Sequence, residues 1–305
     1  MTCGAMKAVL AAIAVIGFFS FQVPGCQAQL LEQNCTGVPK ISFRIVDGTT
    51  AKLGKYPWMA LVSTKTHFIC AGSLISHWFV LTAAHCFEHD PLTYVVRLGE
   101  HDRDSPVDCW NDRCQNYEEY NVDMSFQHKY YNKINQVFDI GLLRLARKVE
   151  FHAHIQPICI FTSSQMKSTV DGMTWFMAAG WGRTSGEEGS LTSRVLQELK
   201  INRRPKEDCI REFAQNLTPE QICVGNTNSN LCNGDSGGPQ FRQLVYEDKV
   251  RYFQLGIASY TKEGCKDVSI LTDVVSYGEW IQDVVQAYTP WEQRRNWFIW
   301  DKCSK

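Results

Sequence analysis

The chain has 305 residues, room for one large domain or two small ones, and its 44% hydrophobic and 21% charged content is that of a globular protein, not a disordered one. A formal net charge of −1 excludes the bulk basic field that nucleic-acid binding draws on, and no long basic patch replaces it. Thirteen cysteines are too many for a cytosolic chain whose thiols stay reduced.

The N-terminus accounts for the cysteines. Lys7 precedes an apolar run over residues 8–23, and the small residues Cys26 and Ala28 flank a cleavage point after Ala28. That is the layout of a secretory signal peptide over residues 1–28, which sends the chain to the extracellular space. A signal anchor is the rival reading, but the run is shorter than the ~20 residues of a spanning helix. No other stretch is long enough to span, so no membrane partner is expected.

Residues 29–44 are short and polar, with Pro39 and Cys35. They are too few for a core and read as a linker or pro-segment. From Ile45 the texture changes to short runs rich in β-branched and aromatic residues, such as 93–98 and 249–255, separated by turn residues. Many such runs without intervening helices indicate an all-β sandwich or barrel. No internal repeat interrupts them. Near the end, Trp280, Ile281, Val284, Val285 and Tyr288 fall on one face at helical spacing, which predicts a helix docked on the domain. A tail over 289–305 follows, with Trp291, Trp297, Phe298, Trp300 and Cys303.

The strongest chemical signal is Gly234-Asp235-Ser236-Gly237-Gly238-Pro239. A serine hydroxyl is a weak nucleophile that needs a base, an orienting carboxylate and donors for the developing oxyanion. Glycines beside the serine let the backbone turn so that the amides of Gly234 and Ser236 point to one spot. A glycine-rich turn that merely contains a serine is the bland alternative. The base is His85 in Thr82-Ala83-Ala84-His85-Cys86, set beside a cysteine and just after the strand-like residues 79–81. Asp139 lies in the apolar run Phe138-Asp139-Ile140-Gly141-Leu142-Leu143. A carboxylate there must be paired if buried, and the imidazole is its natural partner. Three local signals in the order His85, Asp139, Ser236 favour a nucleophilic triad over three unrelated structural residues.

With these motifs, residues 45–288 resemble the chymotrypsin-like (trypsin-fold) serine peptidases. Further matches are Arg44-Ile45-Val46-Asp47-Gly48, Tyr56-Pro57-Trp58, Cys70-Ala71-Gly72-Ser73-Leu74-Ile75, Gly180-Trp181-Gly182 and the helix at Trp280-Ile281. The resemblance implies two packed antiparallel six-stranded β-barrels with a C-terminal helix and the active site between the barrels. It implies a zymogen cleaved after Arg44, whose new α-amine at Ile45 pairs with Asp235 and switches the oxyanion hole on. It also implies a protein substrate, an upstream trypsin-like activating peptidase, a protein inhibitor as a further partner, and no required cofactor.

The family's disulfides map to Cys70–Cys86, Cys209–Cys223 and Cys232–Cys265, with Cys35–Cys159 tethering the pro-segment. Cys109 and Cys114 are extra and are expected to pair with each other, as in arthropod clip-type peptidases. No six-cysteine clip module precedes the catalytic part, so the likeness to those enzymes covers their catalytic half. Cys3 and Cys26 leave with the signal peptide, and Cys303 is then a free thiol or an intermolecular bridge. Asn34 and Asn216 begin glycosylation sequons, the first hindered by a neighbouring disulfide. Glu100 and Asp102, with Glu118 or Glu119 beyond, fall where relatives hold calcium. A solvated acidic loop is the competing reading.

The specificity pocket departs from the trypsin-like pattern. Its floor, six residues before the nucleophile, is Asn230 where those enzymes carry aspartate. A substrate cation left unpaired in a buried slot costs about 3–5 kcal/mol, which disfavours cleavage after lysine or arginine. In Ser259-Tyr260-Thr261, the strand that pairs with substrate backbone, Thr261 replaces the usual glycine at the rim, and Ser269 replaces a wall glycine. Small or medium side chains are expected to enter. A regulatory homologue that binds without cutting is the rival class, although such proteins usually lose a triad residue and this chain keeps all three.

Overall fold

The computed structural model of the chain describes residues 29–36, 49–88, 90–187, 189–227 and 229–291. The signal segment 1–28, the expected cleavage point at Arg44 and Ile45, and Cys303 lie outside the described residues. The strands in chain order are β1 (Thr49–Thr50), β2 (Met59–Ser63), β3 (Phe68–Leu74), β4 (Phe79–Thr82), β5 (Val95–Leu98), β6 (Val107–Trp110), β7 (Arg113–Asn116), β8 (Glu118–Gln127) and β9 (Gly141–Leu145). They continue with β10 (Trp175–Gly180), β11 (Gln197–Asn202), β12 (Gln221–Val224), β13 (Pro239–Tyr246), β14 (Lys249–Thr261) and β15 (Ser269–Asp273). The helices are α1 (Lys167–Asp171), α2 (Lys206–Phe213) and α3 (Gly278–Tyr288).

The first antiparallel barrel is closed, in the order β2-β3-β4-β9-β8-β5. The second unit is a sheet in the order β1-β11-β10-β13-β14-β15-β12. Its six long strands curl back on themselves. An antiparallel bridge from Arg203 to Val224, with Gly225 N–H on Asn202 O (2.8 Å) and Arg204 N–H on Cys223 O (2.9 Å), joins β11 to β12. The two-residue β1 adds the seventh strand at the edge. Closure of the first unit and this partial closure of the second leave little unpaired edge. This is the all-β, two-barrel architecture with a C-terminal helix that the sequence predicts.

The patterning explains the elements. β4 is buried along its whole length and β9 almost so, as Leu- and Val-rich strands in the centre of a small barrel must be. The run expected over 249–255 is the first half of the thirteen-residue β14. α3 buries Ile281 and Val285, with Trp280 and Val284 packed at their side. Trp58, fully buried, joins the two units: its ring meets Phe241 of β13 edge-on at 5.0 Å and Tyr252 of β14 at 4.9 Å. Each such pair is worth about 0.5–1.5 kcal/mol beyond its buried area.

Residues 29–36, the start of the expected linker or pro-segment, pack against the domain. Leu30 and Leu31 are buried, at 3% and 6% exposure, in the cores of the domain. Leu31 N–H donates to Ile160 O (3.1 Å), and Arg251 Nη1 donates to Gln33 O (2.7 Å). The segment is too short for a core of its own, but it borrows one.

No helix among the described residues is long and apolar enough to cross a membrane.

Candidate active site

The turn around Ser236 uses backbone that other residues adopt only with strain. Gly234 (φ +99°) and Gly237 (φ +75°) lie in the left-handed half of dihedral space. A Cβ on Gly237 would sit 2.1 Å from Thr82 Oγ1, so glycine is needed there on both counts. Both barrels fasten this turn. Ala71 N–H of β3 donates to Ser236 O (2.9 Å), and Gly237 N–H donates to Ala258 O of β14 (2.8 Å).

His85 sits in a single 3₁₀ turn, Ala84–Cys86, directly after β4. Cys86 is bonded to Cys70 of β3, which fixes the turn to the barrel wall. Asp139 holds the histidine twice: Oδ1 accepts His85 N–H at 2.9 Å, and Oδ2 accepts from Nδ1 at 2.8 Å. An ionised carboxylate can only accept, so Nδ1 is the donor, and in the neutral imidazole this leaves the lone pair on Nε2.

Asp139 is fully buried, yet its charge is well served. Besides the two donors from His85, Ser259 Oγ donates to Oδ2 at 2.5 Å. Thr272 Oγ1 holds the main-chain oxygen of Asp139 at 2.8 Å. Phe138 beside it has φ +55°, a strained setting for a bulky residue, and stacks on His128 at 5.1 Å. His85 and Ser236 line one cleft of about 830 Å³. A base with a free lone pair, its orienting carboxylate and a hydroxyl in one cleft can carry out nucleophilic acyl transfer.

Asp235 lies behind the turn. Its Oδ1 accepts Gly182 N–H at 3.0 Å and its Oδ2 accepts Cys232 N–H at 2.9 Å. Gly180 and Gly182 make room for it, since a Cβ on either would come within 2.4 Å of the carboxylate. Burial pushes its pKa up to about 6, with the two backbone donors opposing. No cation pairs with it among the described residues.

The residues expected to form the specificity pocket include a second buried polar group. Both side-chain polar atoms of Asn230 are buried without a protein partner among the described residues. Thr261 and Ser269 are cross-strand neighbours on β14 and β15. Ser269 is buried, with its Oγ donating to Thr261 Oγ1 at 2.9 Å.

The disulfides are Cys35–Cys159, Cys70–Cys86, Cys109–Cys114, Cys209–Cys223 and Cys232–Cys265. Cys109 and Cys114 face one another across the β6–β7 hairpin. Asn34 and Asn216 are both exposed.

The acids considered for calcium do not converge. Glu100 is buried, bonded to Arg97 Nη1 (3.3 Å) and to His101 N–H (3.0 Å), and pushed up to about 7 by desolvation. Asp102 pairs with Arg194 at 3.1 Å, Glu118 with His152 at 2.8 Å and Glu119 with Arg97 at 3.3 Å. Among the described residues, the group with three metal-type ligands close together is Cys70, His85 and Cys86, whose two sulfurs are bonded to each other. As they stand, Glu100 and Asp102 do not form a calcium cage.

Two contributors were not legible in the sequence as parts of this site. Ser259, expected to meet substrate backbone, also bonds Asp139, and Gly182 cradles Asp235. The Gly-Trp-Gly motif was the only available signal for the second, and nothing local marks the first.

The family described as Trypsin matches residues 45–281. The chain is 32% identical over 268 residues to "Serine protease grass" of Drosophila melanogaster, covering 81% of this chain and 69% of that protein. It is 33% identical over 268 residues to "Melanization protease 1" of the same organism, covering 80% of this chain and 66% of that one. "Phenoloxidase-activating enzyme 1" of Spodoptera litura is 31% identical over 275 residues, covering 84% and 70%. Among solved structures, the crystal structure of the Drosophila Grass clip serine protease of the Toll pathway superposes with a TM-score of 0.74 at 29% identity, covering 83% of this chain and 75% of that one.

Proposed function

The chain belongs to the Trypsin family and is a serine-type endopeptidase, and from that premise we propose that it is a secreted zymogen activated by cleavage after Arg44, with His85, Asp139 and Ser236 as its catalytic residues. The observation that carries this reading is the double hold of Asp139 on His85 in the cleft that also holds Ser236. Ser236 Oγ attacks the substrate carbonyl while His85 Nε2 takes its proton. The amides of Gly234 and Ser236 stabilise the oxyanion, and His85 then returns the proton to the leaving amine. Water repeats the sequence on the acyl-enzyme. Asp139 stays ionised and keeps the imidazole in the tautomer that can accept, with Ser259 sharing its charge.

Activation would give Asp235 the partner it lacks. A carboxylate desolvated to a pKa of about 6 is poised to gain from an ammonium group, and the freed amine of Ile45 is that group. The neutral Asn230 and the Thr261–Ser269 hydrogen bond favour a small or medium side chain before the cleaved bond over lysine, arginine or an aromatic ring. An upstream trypsin-like peptidase then supplies the cut at Arg44, and protein substrates and a protein inhibitor are the partners. The cascade reading fits relatives whose names include a phenoloxidase-activating enzyme. Residues 1–28 serve as signal peptide, 29–44 as the tethered light chain and 45–288 as the peptidase domain, with Asn34 and Asn216 as glycan acceptors. The reading requires no calcium. Labelling with a fluorophosphonate before and after cleavage at Arg44 tests it: an active peptidase labels at Ser236 only after the cut, and a non-cutting homologue never labels.

A further inference from the structure

The end of β8 touches both segments that carry the proposed catalytic base and its carboxylate. In the closed barrel, β9 lies between β4 and β8. Gln127, the last residue of β8, is in register with Gly141, and Gly141 is in register with Thr82, the last residue of β4. The exposed side chain of Gln127 reaches past Gly141 to the turn that follows β4, where Nε2 donates to Ala84 O at 2.9 Å, 43 positions away. A main-chain oxygen can only accept, so the contact fixes which end of the amide faces it. Ala84 begins the turn of His85, and the same oxygen closes that turn by accepting Phe87 N–H at 3.1 Å. Glycine is needed at 141, because a Cβ there would come within 2.3 Å of the Phe87 ring.

The next residue holds the other segment. His128 N–H donates to Ile140 O at 3.1 Å, and the His128 ring stacks on Phe138 at 5.1 Å, so the residues on both sides of Asp139 are held. Tyr277 and Trp280 meet the same ring edge-on at 5.5 and 5.2 Å, which keeps it in place. Desolvation, with Lys129 beside it, pushes the His128 pKa down, so the ring stacks as a neutral imidazole. Phe138 has φ +55°, a strained backbone that persists only where its surroundings fix it. Two adjacent residues of one strand end thus set the turn of His85 and the entry of Asp139 against one frame. What depends on that frame is the double contact of Asp139 with His85, 2.9 Å to the main-chain N–H and 2.8 Å to Nδ1.

We propose that Gln127 is a positioning residue of this peptidase: its amide, with His128 behind it, keeps the turn of His85 in register with Asp139 while Nε2 takes the proton of Ser236. This deepens the proposed catalytic reading and rests on it. Gln127 acts through the main chain of Ala84 and not on substrate. Its loss should therefore lower kcat and leave KM alone.

The test compares the full chain, cleaved at Arg44 by trypsin, with two variants treated in the same way. Gln127→Met matches glutamine in length but cannot donate, whereas Gln127→Lys can. An exposed position tolerates either change, so both should melt with the parent protein. On a peptide with alanine before the cut, Gln127→Met should lower kcat about three- to tenfold, the worth of one neutral hydrogen bond, with KM unchanged. Gln127→Lys should keep kcat near that of the parent. In proton NMR spectra, the resonance of the His85 Nδ1–H should shift or broaden in Gln127→Met, which a merely structural role would not cause. A kcat for Gln127→Met equal to the parent's overturns the proposal. So does a loss that Gln127→Lys shares in full, or a rise in KM at constant kcat. Failure of the catalytic reading shows separately: the cleaved parent protein then neither labels with a fluorophosphonate nor turns over peptide, while the His85 resonance still reports the hold on its turn.

Discussion

Thr261 and Ser269 stand opposite one another on β14 and β15 and share a 2.9 Å hydrogen bond between their hydroxyls. On the proposed reading, the bond ties together the two positions at which glycines would leave the specificity pocket open. Thr261→Gly with Ser269→Gly should therefore raise kcat/KM for peptides with leucine or phenylalanine before the cut, relative to alanine. The expected gain is roughly 10–200-fold, the discrimination that added apolar volume commands in such pockets. An unchanged ratio would mean that the pair does not bound the pocket.

Ser236→Ala should lower turnover on the order of 10⁶-fold without loss of secretion or folding, since members of a triad act as a unit. Activity within tenfold of the parent protein, about 1.4 kcal/mol in barrier, would remove Ser236 as the nucleophile. Ser259→Ala is a finer probe. It deletes one of three donors to the Asp139 carboxylate and should slow kcat roughly 10- to 150-fold, the worth of one hydrogen bond to a charged group at about 1.5–3 kcal/mol.

How much of this was legible in the sequence depends on how local each cause is. His85, Asp139 and Ser236 stand in short motifs because each needs a particular immediate backbone: a disulfide-pinned turn, an apolar strand entry, a glycine turn. The Ser259–Asp139 bond spans 120 positions, and a serine before a tyrosine gives no hint of it. The burial of Leu30 and Leu31 has no local signal for the same reason. Their apolar partners, Phe161 and the residues around Ile160, lie far along the chain. The bridge from Arg203 to Val224 that draws the second barrel together likewise left no sequence signal.

Because Leu30 and Leu31 are buried in the domain cores, residues 29–36 should stay attached after activation even without their covalent link. Leu30→Ala should destabilise the protein by about 2–4 kcal/mol, the cost of a large-to-small change in a packed core. In Cys35→Ser with Cys159→Ser, the light chain should still co-elute with the cleaved peptidase domain in gel filtration. Its loss on cleavage would show that the disulfide alone retains it.

The raised pKa of Asp235 makes the stability of the uncleaved chain depend on pH. An acid moved from 3.8 up to about 6 by burial binds its proton more tightly in the folded state. Its stabilising contribution is complete below about pH 4 and is lost as pH rises through about 6, leaving a penalty on the order of 3 kcal/mol at neutral pH. Urea denaturation of the uncleaved protein should show this fall between pH 4 and 7, together with one of the same sign from Glu100, and Asp235→Asn should remove only the Asp235 share. Cleaved at Arg44, the same variant should remain inactive, because the Ile45 amine has no carboxylate to meet. A stability profile that rises over that range in the parent but not in the variant would reverse the assignment.

The activation site and the specificity pocket together determine whether the zymogen can mature by itself. Cleavage after Arg44 requires a pocket that accepts arginine. Here the expected floor is Asn230, which offers no charge, and the hydroxyls of Thr261 and Ser269 are joined across the walls. A buried guanidinium without a counter-charge is penalised by about 3–5 kcal/mol, which slows self-cleavage roughly 10²–10³-fold or more. Purified zymogen incubated alone at high concentration should thus remain one chain on reducing electrophoresis. Trypsin should release a new N-terminus at Ile45 and switch on hydrolysis of peptides with alanine or valine before the cut. Asn230→Asp, with Thr261→Gly and Ser269→Gly to reopen the walls, should make the zymogen self-activating at Arg44. If the parent zymogen matures unaided and its Ser236→Ala form does not, the pocket accepts arginine after all.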